Sequence, residues 1–202
     1  MHSPSVPSGA GATLLGMAFP SEQELREIAE PLAASLGFDV EAVNITRAGA
    51  KSAVRLAVDG DTRPDLDQLE ELSQAVSAEF DARETAGTLN FGPGYTLELT
   101  TPGLDTPLTA GRHFRRNVGR LVLLRGKKLR IAGVDEDGDG TVWLIRPAAK
   151  KKDAPTVLAT ELAEAAGALV EVEFSDAPAA ESALVGLDPE KYRALTAQED
   201  DK

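Results

Sequence analysis

The succession of hydrophobic periods along this 202-residue chain changes character at the Pro- and Gly-punctuated run TPGLDTP (101–107). That change constrains the fold more than any other feature. Before it, helix-period and strand-period segments alternate; after it, short strand-period segments follow one another through tight turns. One layer arrangement does not produce both patterns, so two units are expected.

The first unit is expected over 19–101. Ser21 and Glu24 have capping-box spacing with Phe19 just upstream, and Leu25, Ile28, Ala29, Leu32 and Leu36 recur at helical spacing until Gly37. Pro31 lies inside this run, where its missing N–H predicts a kink. FDVEAVNI (38–45) shifts phase between Val40 and Val43, which predicts a bulge, RAGAK (47–51) reads as a hairpin tip, and AVRLAVD (53–59) alternates. Asp65 and Gln68 open a second helix with Leu69, Leu72, Val76 and Phe80 on one stripe. YTLELT (95–100) returns to alternation with Tyr95, Leu97 and Leu99. The order α-β-β-α-β predicts an α+β two-layer sandwich.

Pro102, Gly103 and Pro107 make 102–109 a stiff interdomain loop. A short helical turn is expected over 110–119. Strands follow at GRLVLLR (119–125), KLRIAGV (128–134), TVWLIRP (141–147), TVLA (156–159) and ALVEVEF (168–174). Short strands with tight turns over 110–174 predict an all-β SH3-like small barrel. From 175 to 202 Ala, Pro, Asp and Glu dominate, so a disordered acidic tail is expected. Within it, Asp188-Pro189-Glu190 opens a brief helix carrying Tyr192 and Leu195. Residues 1–18 contain no Asp, Glu, Lys or Arg and read as a flexible extension without the basic start of a secretory signal. No apolar run approaches a membrane span, and the expectation is a cytoplasmic monomer with no membrane contact.

The formal net charge of −12 argues against nucleic acid until it is divided. Residues 19–101 hold 6 basic and 16 acidic side chains, 102–152 hold 12 and 5, and 153–202 hold 3 and 12. A basic block thus lies between two acidic ones, the pattern of modules with different partners. Arg112, Arg115, Arg116 and Arg120 fall within nine residues, with Arg125, Lys127, Lys128, Arg130 and Lys150 to Lys152 following. Such a cluster neutralises phosphates and releases counterions; it equally serves as a surface that the protein's own acidic segments screen. Phe114 and Trp143 are the only aromatic candidates for base stacking in this block, which argues against sequence-specific reading of single-stranded RNA.

Catalytic chemistry has little material here. There is no Cys, and His113 is the one His outside the N-terminal extension. DEDGDG (135–140) places Asp135, Asp137, Asp139 and Gly140 like the first half of a calcium loop, yet the closing position is Arg146 and the flanks read as strands. A hairpin turn explains it better than a metal-dependent hydrolase does. Gly49-Ala50-Lys51-Ser52 lacks the upstream glycine of a phosphate-binding loop, and no GxxG joins two helices as in a KH module.

The run YTLELTTPGLDTPLTAGRHFRRNVGRLVLL (95–124) resembles the signature of the bacterial ribosome maturation factor RimP family: a strand ending in Ser-Ser-Pro-Gly-Leu-Asp-Arg-Pro-Leu, a short helix with Phe and Arg, then Gly and a strand. Thr100 and Thr101 stand for the serines and Thr106 for the Arg; Pro102, Gly103, Leu104, Asp105, Pro107, Leu108, Phe114, Arg115 and Gly119 match. Asp59-Gly60 before the second helix is similar too, and the resemblance covers roughly 19–174. It implies the same two-unit fold, no enzymatic activity and no cofactor. It also implies a role in assembling the 30S small ribosomal subunit, with the immature subunit and small-subunit ribosomal protein twelve as partners; the basic block adds 16S rRNA phosphates as an expected contact. Partner contacts are expected at Arg112, Arg115, Arg116, Arg120, Lys127 and Lys128. The rival expectation is a protein-only adaptor whose barrel binds a basic or proline-rich peptide without RNA.

Overall fold

The computed structural model describes residues 18–48, 51–136, 138–150 and 153–197. The chain divides between Thr101 and Pro102 into two compact units.

The first unit runs α1 (Glu22–Ser35), β1 (Asp39–Ala48), β2 (Lys51–Asp59), α2 (Leu66–Thr85) and β3 (Tyr95–Thr100). Both expected capping boxes form: the Ser21 hydroxyl accepts from the Glu24 N–H, the Asp65 carboxylate accepts from the Gln68 N–H, and each partner side chain returns a bond. α1 continues through Pro31 to Ser35. β1 and β2 pair antiparallel with the expected bulge between Val40 and Ala42, and α2 is the crossover that lets β3 join β2 in parallel, giving the order β1-β2-β3. The hairpin tip at Gly49 and Ala50 lies outside the described residues.

One face of this sheet buries Val40, Val43, Val54, Leu56 and Val58 against Leu25, Ile28 and Ala33 of α1 and Leu72, Val76 and Phe80 of α2. The opposite face is polar: Arg55 and Glu98, register partners on β2 and β3, form an exposed ion pair at 2.8 Å. α1 also reaches around the outer edge of β1. Glu22 Oε1 accepts from the Ile45 N–H at 3.1 Å, while the Arg26 guanidinium donates to the Val40 and Glu41 carbonyls beside the bulge.

The second unit runs α3 (Gly111–Arg116), β4 (Leu121–Leu124), β5 (Lys127–Val134), β6 (Thr141–Arg146), β7 (Thr156–Glu161), α4 (Leu162–Ala165), β8 (Leu169–Val170), α5 (Ala179–Ser182) and α6 (Pro189–Ala197). Five antiparallel strands are present, in the order β7-β6-β5-β4-β8. They do not close into the expected barrel among the described residues. β8 is only two residues long and pairs with β4 alone, α4 occupies the connection from β7, and next to β8 the sheet gains only the isolated bridge of Leu108 to Ala168.

Both faces of this sheet are covered. On one, Phe114, Val122, Leu129, Ile131, Val142 and Leu144 form a core with Leu108 and Ala165. On the other lie Ala132, Trp143, Ile145 and Val157. The residues that cover this second face come from the segment expected to be disordered. Tyr192, fully buried, stacks on Trp143 at 4.8 Å between ring centroids, with Leu184, Val185, Leu187 and Leu195 packed around them. The expectation of disorder therefore fails for 179–197, because the apolar residues in this Ala- and Glu-rich stretch have a waiting surface. The brief helix carrying Tyr192 and Leu195 forms as expected. Gly133 makes room for it: a Cβ there would lie 3.0 Å from Tyr192 Cε2.

Candidate functional site

The basic block does not fold into one patch. α3 carries Arg112, Arg115 and Arg116 and packs on β5 through Phe114, which is fully buried. Its start lacks a capping hydroxyl or carboxylate; instead His113 Nδ1 accepts from the Thr109 N–H at 3.0 Å and the Ala110 N–H at 3.3 Å. The one histidine of the folded region is thus engaged in starting a helix. Arg115 pairs with Glu136 in the β5–β6 turn, and Arg120 reaches Asn117 Oδ1 at 3.4 Å. α3 therefore sits at the acidic end of β5, whose turn also carries Asp135 and Asp139.

Those acids serve the fold. Asp135 meets Arg193 of α6 at 2.6 Å. Asp139 accepts from the hydroxyl and the backbone N–H of Thr141, which holds its carboxyl below the usual range. Asp137 lies outside the described residues, as do Lys151 and Lys152.

Lys127 and Lys128 are exposed at the opposite end of β5, and Lys128 pairs with Glu171. Arg130, counted with the basic cluster on charge alone, is withdrawn from any surface: its side chain is 2% exposed. Its Nη1 and Nη2 donate to the two oxygens of Glu173 at 2.8 and 2.7 Å, and its Nε donates to Glu181 at 2.8 Å. Nη1 also donates to the Gly119 carbonyl at 2.8 Å. The triad ties β5 to the segment after β8 and to α5.

The bidentate bond from Arg130 holds the Glu173 carboxyl below its ordinary value of 4.5, against a weaker opposing effect of burial. A carboxyl depressed in the folded state contributes stability that is complete above the unfolded value and is lost as pH falls through the folded one. Fluorescence of Trp143, the single tryptophan, is therefore expected to stay native from neutral pH to about 4.5 and to change below it. Glu173→Gln should flatten that acid response.

The interdomain motif lies at the start of the second unit. The Thr106 N–H donates to the Gly103 carbonyl at 3.0 Å, and the Leu108 N–H donates to Ala168 O at 2.9 Å. Leu104 and Asp105 line an open groove with Leu123, Leu169, Val170 and Val172. Leu104 is 44% exposed, Val172 55% and the nearby Phe174 98%. Of the stacking candidates, Phe114 and Trp143 are both in cores; the freely exposed aromatic is Phe174, which the charge-based reading passed over. Its signal was an alternation, ALVEVEF, that continues past the end of strand pairing. No described helix is long and apolar enough to cross a membrane.

Residues 28–105 match the family model for the RimP N-terminal domain. The chain is 49% identical over 195 residues to the ribosome maturation factor RimP of Corynebacterium urealyticum, covering 89% of this chain and 97% of that protein. It is 46% identical over 172 residues to that of Corynebacterium aurimucosum, covering 82% and 89%. To that of Frankia casuarinae it is 43% identical over 149 residues, covering 70% of this chain and 55% of the relative.

Proposed function

This chain belongs to the ribosome maturation factor RimP family, and from that premise we propose that it acts, without catalysis or cofactor, in assembly of the 30S small ribosomal subunit in the cytoplasm. The observation that carries the reading is the 49% identity to a ribosome maturation factor over 89% of this chain, joined to the separation of charge along the chain.

The first unit, with 6 basic and 16 acidic side chains over 19–101, is suited to a basic partner such as a ribosomal protein, and small-subunit ribosomal protein twelve is the partner proposed. The groove beside Leu104, Val172 and Phe174 offers apolar contact of the kind protein interfaces use. Contacts to 16S rRNA phosphates are proposed to come from the basic side chains of the second unit, with Arg112, Arg115, Arg116, Arg120, Lys127 and Lys128 as the pool of candidates. An overall charge of −12 keeps such contacts weak without protein contacts, which suits a monomer that binds and leaves.

On a sucrose gradient the protein is expected to co-sediment with free small subunits and immature particles, and not with full ribosomes. Its absence from both fractions would end this reading. Complexes from cell extract that survive RNase unchanged would favour a protein-only adaptor.

A further inference from the structure

We propose that the end of the five-stranded sheet formed by the β4–β5 turn and the exit of β6 is an RNA-backbone-binding surface, and that α3 is not. The inference rests on the subunit-assembly reading above and assigns its phosphate contacts to particular residues.

Strand register brings the cations together. Leu124 pairs with Lys127, so Arg125 and Gly126 form a two-residue turn at this end of β5. Arg130 pairs with Ile145, so Arg146 leaves β6 at the same end, opposite Leu129 and on the same face as Lys127 by the two-residue period. Lys150 follows in the loop before β7. Arg125, Lys127, Lys128, Arg146 and Lys150 are all exposed.

Acidic residues are missing where these cations converge. Residues 117–134 contain no Asp or Glu, and neither do 140–152. The acids that approach from elsewhere are engaged or adjacent to the chain turn: Glu171 is held by Lys128, Glu173 and Glu181 are held by Arg130, and Asp153 lies in the turn after Lys150. Among the described residues Arg125, Lys127, Arg146 and Lys150 have no acidic partner. At the other end of β5, roughly 20 Å away at about 3.3 Å per residue, Arg115 is bound to Glu136, and Asp135 and Asp139 stand in the same turn. A phosphate approaching α3 meets that acidic turn; one approaching the β4–β5 turn does not.

The backbone gives an independent reason. Arg125 has φ 49° and Gly126 φ 77°, the geometry of a type I′ turn. Asn, Asp or Gly is favoured at the first of these positions, and Arg125 is the one described non-glycine residue with positive φ. A long cation therefore stands where local stability prefers a short polar residue. The turn fixes the backbone from which this side chain extends, so no main-chain order has to be gained when a phosphate binds.

Two variants separate binding from folding. Arg125→Asn removes the charge and suits the turn, so it should raise thermal stability while weakening binding of a short fluorescein-labelled RNA hairpin. With Lys127→Gln added, the slope of log affinity against log salt should become shallower by about two, near one for each phosphate no longer neutralised. The pair Arg112→Gln/Arg115→Gln should leave that slope nearly unchanged. An unchanged slope for the turn variants, or a larger loss for the α3 variants, would overturn the proposal. Small-subunit sedimentation of the same proteins keeps the two readings apart. Turn-dependent RNA binding in a chain that fails to sediment with subunits upholds the surface and removes the assembly reading. Normal sedimentation with turn-independent RNA binding does the reverse.

Discussion

Tyr192→Ala is expected to destabilise the second unit by about 3–5 kcal/mol, the range for emptying a buried aromatic site. The ring is fully buried on Trp143, and its hydroxyl closes a small polar network. It donates to the Ala132 carbonyl at 2.8 Å, has Leu184 O as an alternative acceptor at 2.9 Å, and accepts from the Leu187 N–H at 3.0 Å. Alanine opens a cavity beside Gly133, which has no side chain to fill it, and takes the acceptor from the Leu187 N–H, while the Ala132 carbonyl keeps its bond from the Gly186 N–H. Trp143 is the only tryptophan and lies in this contact, so urea unfolding followed by its fluorescence reads the second unit alone. Tyr192→Phe keeps the stack and loses the bonds, and should cost about 1–3 kcal/mol. A Tyr192→Ala protein as stable as the parent would show that the segment 179–197 does not belong to this core.

Arg130→Ala should cost a similar amount, about 3–5 kcal/mol, for a different reason. The substitution leaves the Glu181 carboxylate, 7% exposed, without its cation and strips Glu173 of a bidentate partner. The penalty is that of an uncompensated buried charge. Exchanging Arg130 and Glu181 together for Met should therefore recover most of the loss, although it removes more polar interactions than the single change. If the double replacement unfolds as readily as Arg130→Ala, the triad stabilises by attraction and not by avoiding an orphaned charge. Urea midpoints of the two variants decide between these.

The first unit was legible because its instructions are local. Ser21 with Glu24 and Asp65 with Gln68 each mark a helix start within four residues, and the phase slip between Val40 and Val43 marks the bulge within one strand. The second unit hides its instructions in distant pairs. Leu184, Leu187 and Tyr192 keep no regular period because their partner is not the next turn of helix but the Trp143 face; Tyr192 lies 60 residues beyond Ala132, whose carbonyl it bonds. Composition weighed their Ala, Pro and Glu neighbours instead.

Charge counting failed at Arg130 for the same reason, since a sum cannot see burial. The clue was present: an Arg between Leu129 and Ile131 in a central strand needs an acid, and Glu173 lies in an alternating run of its own. The basic candidates divided by register, which a list of positions does not carry.

The side chains that α1 lays along β1 have a consequence for how these molecules behave toward one another. An outer strand ordinarily shows a row of bare N–H and C=O groups, a template on which another chain can add a strand. Here Glu22 occupies the Ile45 N–H and Arg26 occupies the Val40 and Glu41 carbonyls. An incoming strand would have to evict both charged groups, and Arg26 stands at the bulge that already spoils its register. The helix that builds the core thus also guards that edge against self-association.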